Sequence, residues 1–127
     1  MQEKHLYEYA VIRYVPRVER EEFINIGLIM MCKRRKWLRV AHQLDLDKLD
    51  AFCAPHPAAD IERQMLTFDM LADGDPAGGP MAKLPVEERF RWLTAMKSAC
   101  IQTSRPHPGK TDNLDKTFAR LYSDLVE

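Results

Sequence analysis

Three consecutive strand-like segments lie in the first third of this chain. The first, residues 7–15, is rich in aromatic and β-branched residues, which favour strands. The second, residues 24–32, is apolar on both faces, which is typical of a strand that is covered on both sides. The third, residues 36–41, follows a basic turn and predicts a hairpin with the second. Three such segments in succession predict a small antiparallel sheet.

Helical patterns dominate the rest of the chain. A short helix is predicted over residues 45–53, and the prolines that follow it separate it from a second helix over residues 58–72. A third helix begins at Pro85, which suits the first helical position. A fourth begins near Asp112 and has the strongest helical periodicity. Its apolar positions are Leu114, Phe118, Leu121, Tyr122 and Leu125.

The order of these segments predicts the fold class. Strands that precede helices indicate an α+β domain and argue against βαβ alternation. Residues 98–103 predict a fourth strand, and residues 104–110 predict a rigid loop because they contain two prolines. At 127 residues the chain has the length of one domain. We expect a single domain over residues 1–127, with an N-terminal meander of three to four antiparallel strands and about four helices packed on one face.

Composition narrows the classes of function. The formal net charge is zero, which removes the strongest compositional argument for nucleic-acid binding. The three cysteines are widely spaced and odd in number, which indicates reduced thiols and a cytoplasmic location. No stretch approaches the roughly 20 apolar residues of a membrane span, so no membrane segment is expected.

No catalytic, metal-binding or cofactor-binding signature is present in the sequence. Cys53 and His56 have a ligand-like spacing, but a structural zinc site needs four such ligands and the other cysteines and histidines are scattered. The cysteines are better explained as small core residues. Nucleophile-elbow and phosphate-loop patterns are absent. We therefore predict no metal and no cofactor, and we favour a protein that is not an enzyme.

Basic side chains are the more suggestive polar groups. They form two clusters and one isolated residue: Lys33, Arg34, Arg35 and Lys36; Arg105, His107 and Lys110; and Arg13 within the first strand. Arginine binds phosphate or carboxylate with two hydrogen bonds. The first cluster is also explained as a solvated hairpin tip that protects a sheet edge. For Arg13 the alternatives are an ion pair with Glu21 or Glu22, or a side chain that extends over the sheet.

Two parts of the sequence together resemble a small bacterial family known as domain of unknown function 3037. The first part is residues 9–16 (YAVIRYVP) with residues 20–27 (REEFINIG), and the second is residues 103–106 (TSRP) with residues 121–122 (LY). The resemblance extends over nearly the whole chain. The positions that match the family's motifs are Arg13, Tyr14, Pro16, Glu21, Glu22, Phe23, Asn25, Gly27, Thr103 and Arg105. Family members are often encoded beside a HipA-like kinase, so the resemblance implies a protein partner.

These positions lead to a hypothesis for the site. Neighbouring antiparallel strands are expected to bring Arg13 and Asn25 together. We predict a polar pocket at one end of the sheet, formed by Arg13, Glu22, Asn25 and Arg105, with His107 as a further residue that binds a ligand or partner.

Two functions are compatible with this picture. The leading interpretation is a cytoplasmic bacterial accessory protein that binds another protein, with a HipA-like kinase as the partner implied by the resemblance, through the sheet edge or the polar end. The alternative is an enzyme or regulator that binds a phosphorylated or nucleic-acid ligand through the basic clusters, with affinity that falls steeply with salt. A homodimer formed through the sheet is compatible with both.

Overall fold

The structure is a computed structural model that describes residues 4–51, 54–95 and 100–127. Five strands and four helices lie within these ranges. In chain order they are β1 (His5–Tyr14), β2 (Ile24–Cys32), β3 (Trp37–His42), α1 (Leu46–Ala51), α2 (Ala58–Asp73), α3 (Val86–Ala95), β4 (Ile101–Thr103), β5 (His107–Thr111) and α4 (Leu114–Leu125). Short 3-10 turns occur at Val18–Arg20, Pro76–Gly78 and Pro80–Lys83.

All of the strand pairs are antiparallel and the order across the sheet is β3-β2-β1, as expected for a meander. The other side of β1 pairs with β4 near its C-terminal end and with β5 over its N-terminal half. The α+β prediction is confirmed. None of the helices in the described ranges is long and apolar enough to cross a membrane.

A bulge interrupts the pairing of β1 with β2. Ile12 lies opposite Gly27, whereas the next residue of β1 lies opposite Asn25, so Ile26 is an extra residue in β2. The backbone approaches closely here, because a Cβ atom on Gly27 would lie 2.8 Å from the carbonyl oxygen of Ala41. This explains why a glycine lies within the apolar strand β2. A glycine within a strand predicts a bulge or a close approach of the backbone.

Helices cover both faces of the sheet. Helices α2 and α3 pack on one face around Ile12, Tyr14 and Ile29, and α4 packs on the other around Leu28 and Met30. The expectation that all helices share one face is wrong. An apolar strand such as β2 needs cover on both sides, and the amphipathic α4 supplies the second layer.

Strand β5 is the element that the sequence interpretation missed. Residues 104–110 are predicted as a loop because of their prolines, yet His107–Thr111 pairs with β1 from His5 to Tyr9. A proline is tolerated there because β5 lies at the edge of the sheet. Gly109 leaves room for the ring of Tyr7 directly above it. Residues 52–53 of the first predicted helix and residues 98–99 of the predicted fourth strand lie outside the described residues.

Side chains bond to backbone groups at the ends of several helices. Arg89 in α3 donates from its terminal nitrogen to the carbonyl oxygen of Leu71, at 2.7 Å, at the C-terminal end of α2. Its Nε also donates to the carbonyl oxygen of Leu84, at 2.9 Å. Asn113 is the N-cap of α4, because its side-chain oxygen accepts from the backbone N–H of Lys116.

Candidate functional site

A row of polar residues crosses the sheet at the C-terminal end of β1. The strand register places Arg13 of β1 between Asn25 of β2 and Gln102 of β4. Side chains that are directly opposite on neighbouring strands share a face of the sheet. These three residues, which we call the polar row, are therefore contiguous. The predicted proximity of Arg13 and Asn25 is confirmed.

The end of α4 lies over this row. The amide nitrogen of Asn25 donates to the carbonyl oxygen of Leu125 at 3.1 Å. The last carbonyl groups of a helix have no partner within the helix and carry a partial negative charge. The bond therefore closes the end of α4 and joins it to the polar row.

Arg13 is held against an aromatic ring. Its guanidinium carbon lies 4.1 Å from the ring centroid of Phe23, a cation–π contact. Phe23 is 43% exposed, so this pair lies at the protein surface. The described structure thus gives Arg13 a contact with Phe23 and shows neither the ion pair with Glu21 nor the one with Glu22 that the sequence suggested.

Two atoms of the polar row lack hydrogen-bond partners within the described structure. They are the donor Nε of Arg13 and the acceptor Oδ1 of Asn25, and both are buried. A buried polar atom that makes no hydrogen bond costs about 1–3 kcal/mol. The polar row therefore does not contribute its full hydrogen-bonding capacity to the stability of the isolated chain.

The other predicted site residues lie in different surroundings. The carboxylate of Glu22 is 2.7 Å from Nε of Arg20, and both side chains are half-exposed. His107 lies opposite Tyr9, four residues from Arg13 along β1, and its ring centroid is 5.2 Å from that of Tyr9. Arg105 is exposed between β4 and β5. The structure brings Arg13 and Asn25 into one row and shows no direct bond from that row to Glu22, Arg105 or His107 in the described residues.

The first basic cluster lies at the tip of the β2–β3 hairpin, as predicted. Residues 33–36 are exposed, and the turn is closed by a bond from the backbone N–H of Lys36 to the carbonyl oxygen of Lys33. Lys33 also lines a shallow cavity of about 270 Å³ with Leu6 and Pro108. Lys110 lies opposite Leu6, so the two basic clusters approach one end of the sheet.

Sequence reasoning missed a histidine–carboxylate pair on another surface. Nε2 of His42, at the end of β3, lies 3.0 Å and 2.9 Å from the two carboxylate oxygens of Asp69 in α2. Because a carboxylate only accepts, Nε2 of His42 is the donor in this pair. No sequence signal links the two, since they belong to different elements. His42 borders a cavity of about 540 Å³ between the end of β3 and α2.

A tyrosine–histidine contact lies on the face of the sheet that α2 and α3 cover. The hydroxyl group of Tyr14 lies 2.7 Å from Nδ1 of His56, which joins β1 to the segment before α2. Burial raises the pKa of Tyr14 above its ordinary value, and the bond to His56 opposes the increase. Within the described residues, no group of three or more histidine, cysteine, aspartate or glutamate side chains is arranged to hold a metal ion.

A family model described as protein of unknown function (DUF3037) matches residues 9–126, which is nearly the whole chain. No curated protein matches the chain, and no solved structure matches it.

Proposed function

The chain belongs to the DUF3037 family, and we propose that it is a non-enzymatic accessory domain that binds another protein at the polar row. The observation that carries the proposal is the surface pair of Arg13 and Phe23 beside two buried atoms that lack partners. The proposed partner is a HipA-like kinase, on the basis of the family resemblance.

The chemistry of the pair supports a protein partner. Aromatic residues and arginine are enriched among the residues that contribute most to binding at protein interfaces. Phe23 presents an exposed ring, and Arg13 adds a guanidinium group that is already ordered by stacking on that ring. An ordered side chain loses less conformational entropy when a partner binds.

The unpartnered atoms of the row support the same conclusion. Arg13 Nε and Asn25 Oδ1 are costly in the isolated chain, and departures from good local hydrogen bonding tend to occur at functional sites. The row also lies beside the end of α4, through the bond from Asn25 to Leu125. A partner that contacts Phe23 is therefore adjacent to two elements, β2 and α4.

The test measures binding of the purified chain to a purified HipA-like kinase from the same genome by isothermal titration calorimetry. We expect Phe23→Ala to weaken the complex by about tenfold or more, as loss of a central interface residue does. The melting temperature should change little, since Phe23 is 43% exposed and belongs to neither apolar core cluster. Arg13→Lys keeps the charge but loses the planar stacking, and should weaken binding less than Phe23→Ala.

A matched control is Trp92→Ala, because Trp92 is an aromatic residue of α3 with 40% exposure. The affinity of the Trp92→Ala variant for the kinase should equal that of the unmodified chain. The proposal is wrong if Phe23→Ala binds as tightly as the unmodified chain, or if the kinase does not bind at all. Nucleic acid that remains bound to the purified chain and is released by salt would instead support the basic clusters as the site.

A further inference from the structure

The outer face of α2 carries a stripe of four exposed residues. Ala59, Glu62, Arg63 and Leu66 recur at positions i, i+3, i+4 and i+7, so they lie on one side of the helix. All four border the cavity of about 540 Å³ beside α2, together with Leu44. Leu66 is 50% exposed although it is one of the large apolar residues of the chain.

This stripe is complementary to itself. When a second α2 is placed antiparallel, with a twofold axis between Glu62 and Arg63, each residue faces a defined residue of the other copy. Glu62 then faces Arg63, which pairs opposite charges twice. Ala59 faces Leu66, which pairs a small side chain with a large one twice. A twofold interface requires this kind of self-complementary surface.

We propose that two copies of this chain associate through the outer faces of their α2 helices. Leu66 of each copy enters the cavity of the other, beside Ala59 and Leu44. Glu62 of each copy pairs with Arg63 of the other. Within one chain, Arg63 forms an exposed ion pair with Asp60 at 3.4 Å. Such a pair contributes little to stability, so the guanidinium group is able to turn outward.

The size of the stripe determines the strength of the dimer. Helix α2 has 16 residues, so it is about 24 Å long. Two such faces bury less than the roughly 1,200 Å² of total surface that stable complexes need. The dimer is therefore reversible, and its population rises with protein concentration. This surface is separate from the polar row, so the dimer does not depend on the proposed partner.

Sedimentation velocity over a concentration series of the full chain tests the proposal. The unmodified chain should shift from monomer to dimer as its concentration rises. Glu62→Arg places two arginines face to face across the axis, and Arg63→Glu places two glutamates face to face. Each variant should weaken the dimer by at least tenfold. The double variant with both changes restores opposite charges, and its dimer should recover.

Mixing the two single variants gives a second, independent readout. In the mixed dimer every position 62 faces a position 63 of opposite charge, so an equimolar mixture should dimerise although neither variant does alone. Asp124→Arg is the control, because it makes the same change of charge on α4, which covers the opposite face of the sheet. It should dimerise like the unmodified chain.

Three results would overturn the proposal. One is a chain that stays monomeric at every concentration. Another is a Glu62→Arg variant whose dimer is as strong as that of the unmodified chain, which would place the interface elsewhere. The third is a failure of both the double variant and the mixture to recover, with circular dichroism showing that each variant is folded.

Discussion

Gly27 is a residue whose replacement the neighbouring backbone tolerates poorly. A Cβ atom there would lie 2.8 Å from the carbonyl oxygen of Ala41 and 3.0 Å from Cβ of His42. Both neighbours belong to β3, whose backbone is fixed by pairing with β2. We expect Gly27→Ala to lower the free energy of unfolding by about 1–3 kcal/mol, because it overpacks a closed region. Urea denaturation measures this change.

Gly78→Ala is the matched control for that substitution. Its Cβ atom would lie 3.3 Å from a methyl carbon of Leu71 and 3.4 Å from Cβ of Met70, so side chains alone must adjust. Gly78→Ala should lower the free energy of unfolding by clearly less than Gly27→Ala does. Equal losses of stability in the two variants would show that the close approach to Ala41 is not the cause.

Single residues differ in how far the sequence specifies their contacts. The proximity of Arg13 and Asn25 follows from two adjacent strands, so it could be predicted. The His42–Asp69 pair could not, because it depends on how α2 crosses the end of β3. Glu22 pairs with Arg20, a contact within one exposed connector that competes with any longer-range partner.

At the scale of elements, Arg89 joins the end of α2 to α3. Its side chain donates to the carbonyl oxygens of Leu71 and Ala72 near the end of α2 and to that of Leu84 before α3. It thereby supplies donors where the carbonyl groups of a helix run out of partners within the helix. Arg89→Met keeps much of the aliphatic stem and removes the donors. We expect it to lower the free energy of unfolding by about 1.5–3 kcal/mol, the range for hydrogen bonds to charged groups. Thermal unfolding measures the loss.

Arg91→Met provides the comparison in the same helix, since Arg91 is exposed. It should leave the melting temperature nearly unchanged. A similar loss in both variants would indicate a general effect on α3 and would contradict the role assigned to Arg89.

Most elements could be predicted because their patterns are local. Strands β1 to β3 have β-branched and aromatic runs, and α2 and α4 have clear helical periodicity. Strand β5 could not be predicted, since its residues HPGKT lack any strand preference and only pairing with β1 extends them. The position of α4 also depends on tertiary packing, because periodicity shows that a helix has an apolar face but not which surface it covers.

At the scale of the whole molecule, the free energy of unfolding should vary with pH in the alkaline range. Burial raises the pKa of Tyr14 above 10.0, with a smaller opposing effect from His56 and a further increase from Cys100. The folded state thus favours the neutral phenol. Its contribution is fully present below the unfolded pKa and is lost as pH rises through the folded pKa. The free energy of unfolding should therefore fall above pH 10.0.

Tyr14→Phe isolates this effect, because the variant cannot ionise at that position. Its free energy of unfolding, measured by urea denaturation on both sides of pH 10.0, should fall less steeply than that of the unmodified chain. Tyr7→Phe serves as the control and should keep the original slope. Identical slopes for Tyr14→Phe and the unmodified chain would exclude Tyr14 as the source.

The sequence of elements determines when each face of the sheet becomes covered during synthesis. Strands β1 to β3 leave the ribosome well before α4, the helix that covers the face around Leu28, Met30 and Cys32 in the described part of the chain. Until residues 114–125 emerge, the nascent sheet presents an apolar surface to solvent or to a chaperone. Such surfaces promote aggregation. The bond from Asn25 to Leu125 forms only when synthesis has passed the end of α4, so it marks completion of the second layer.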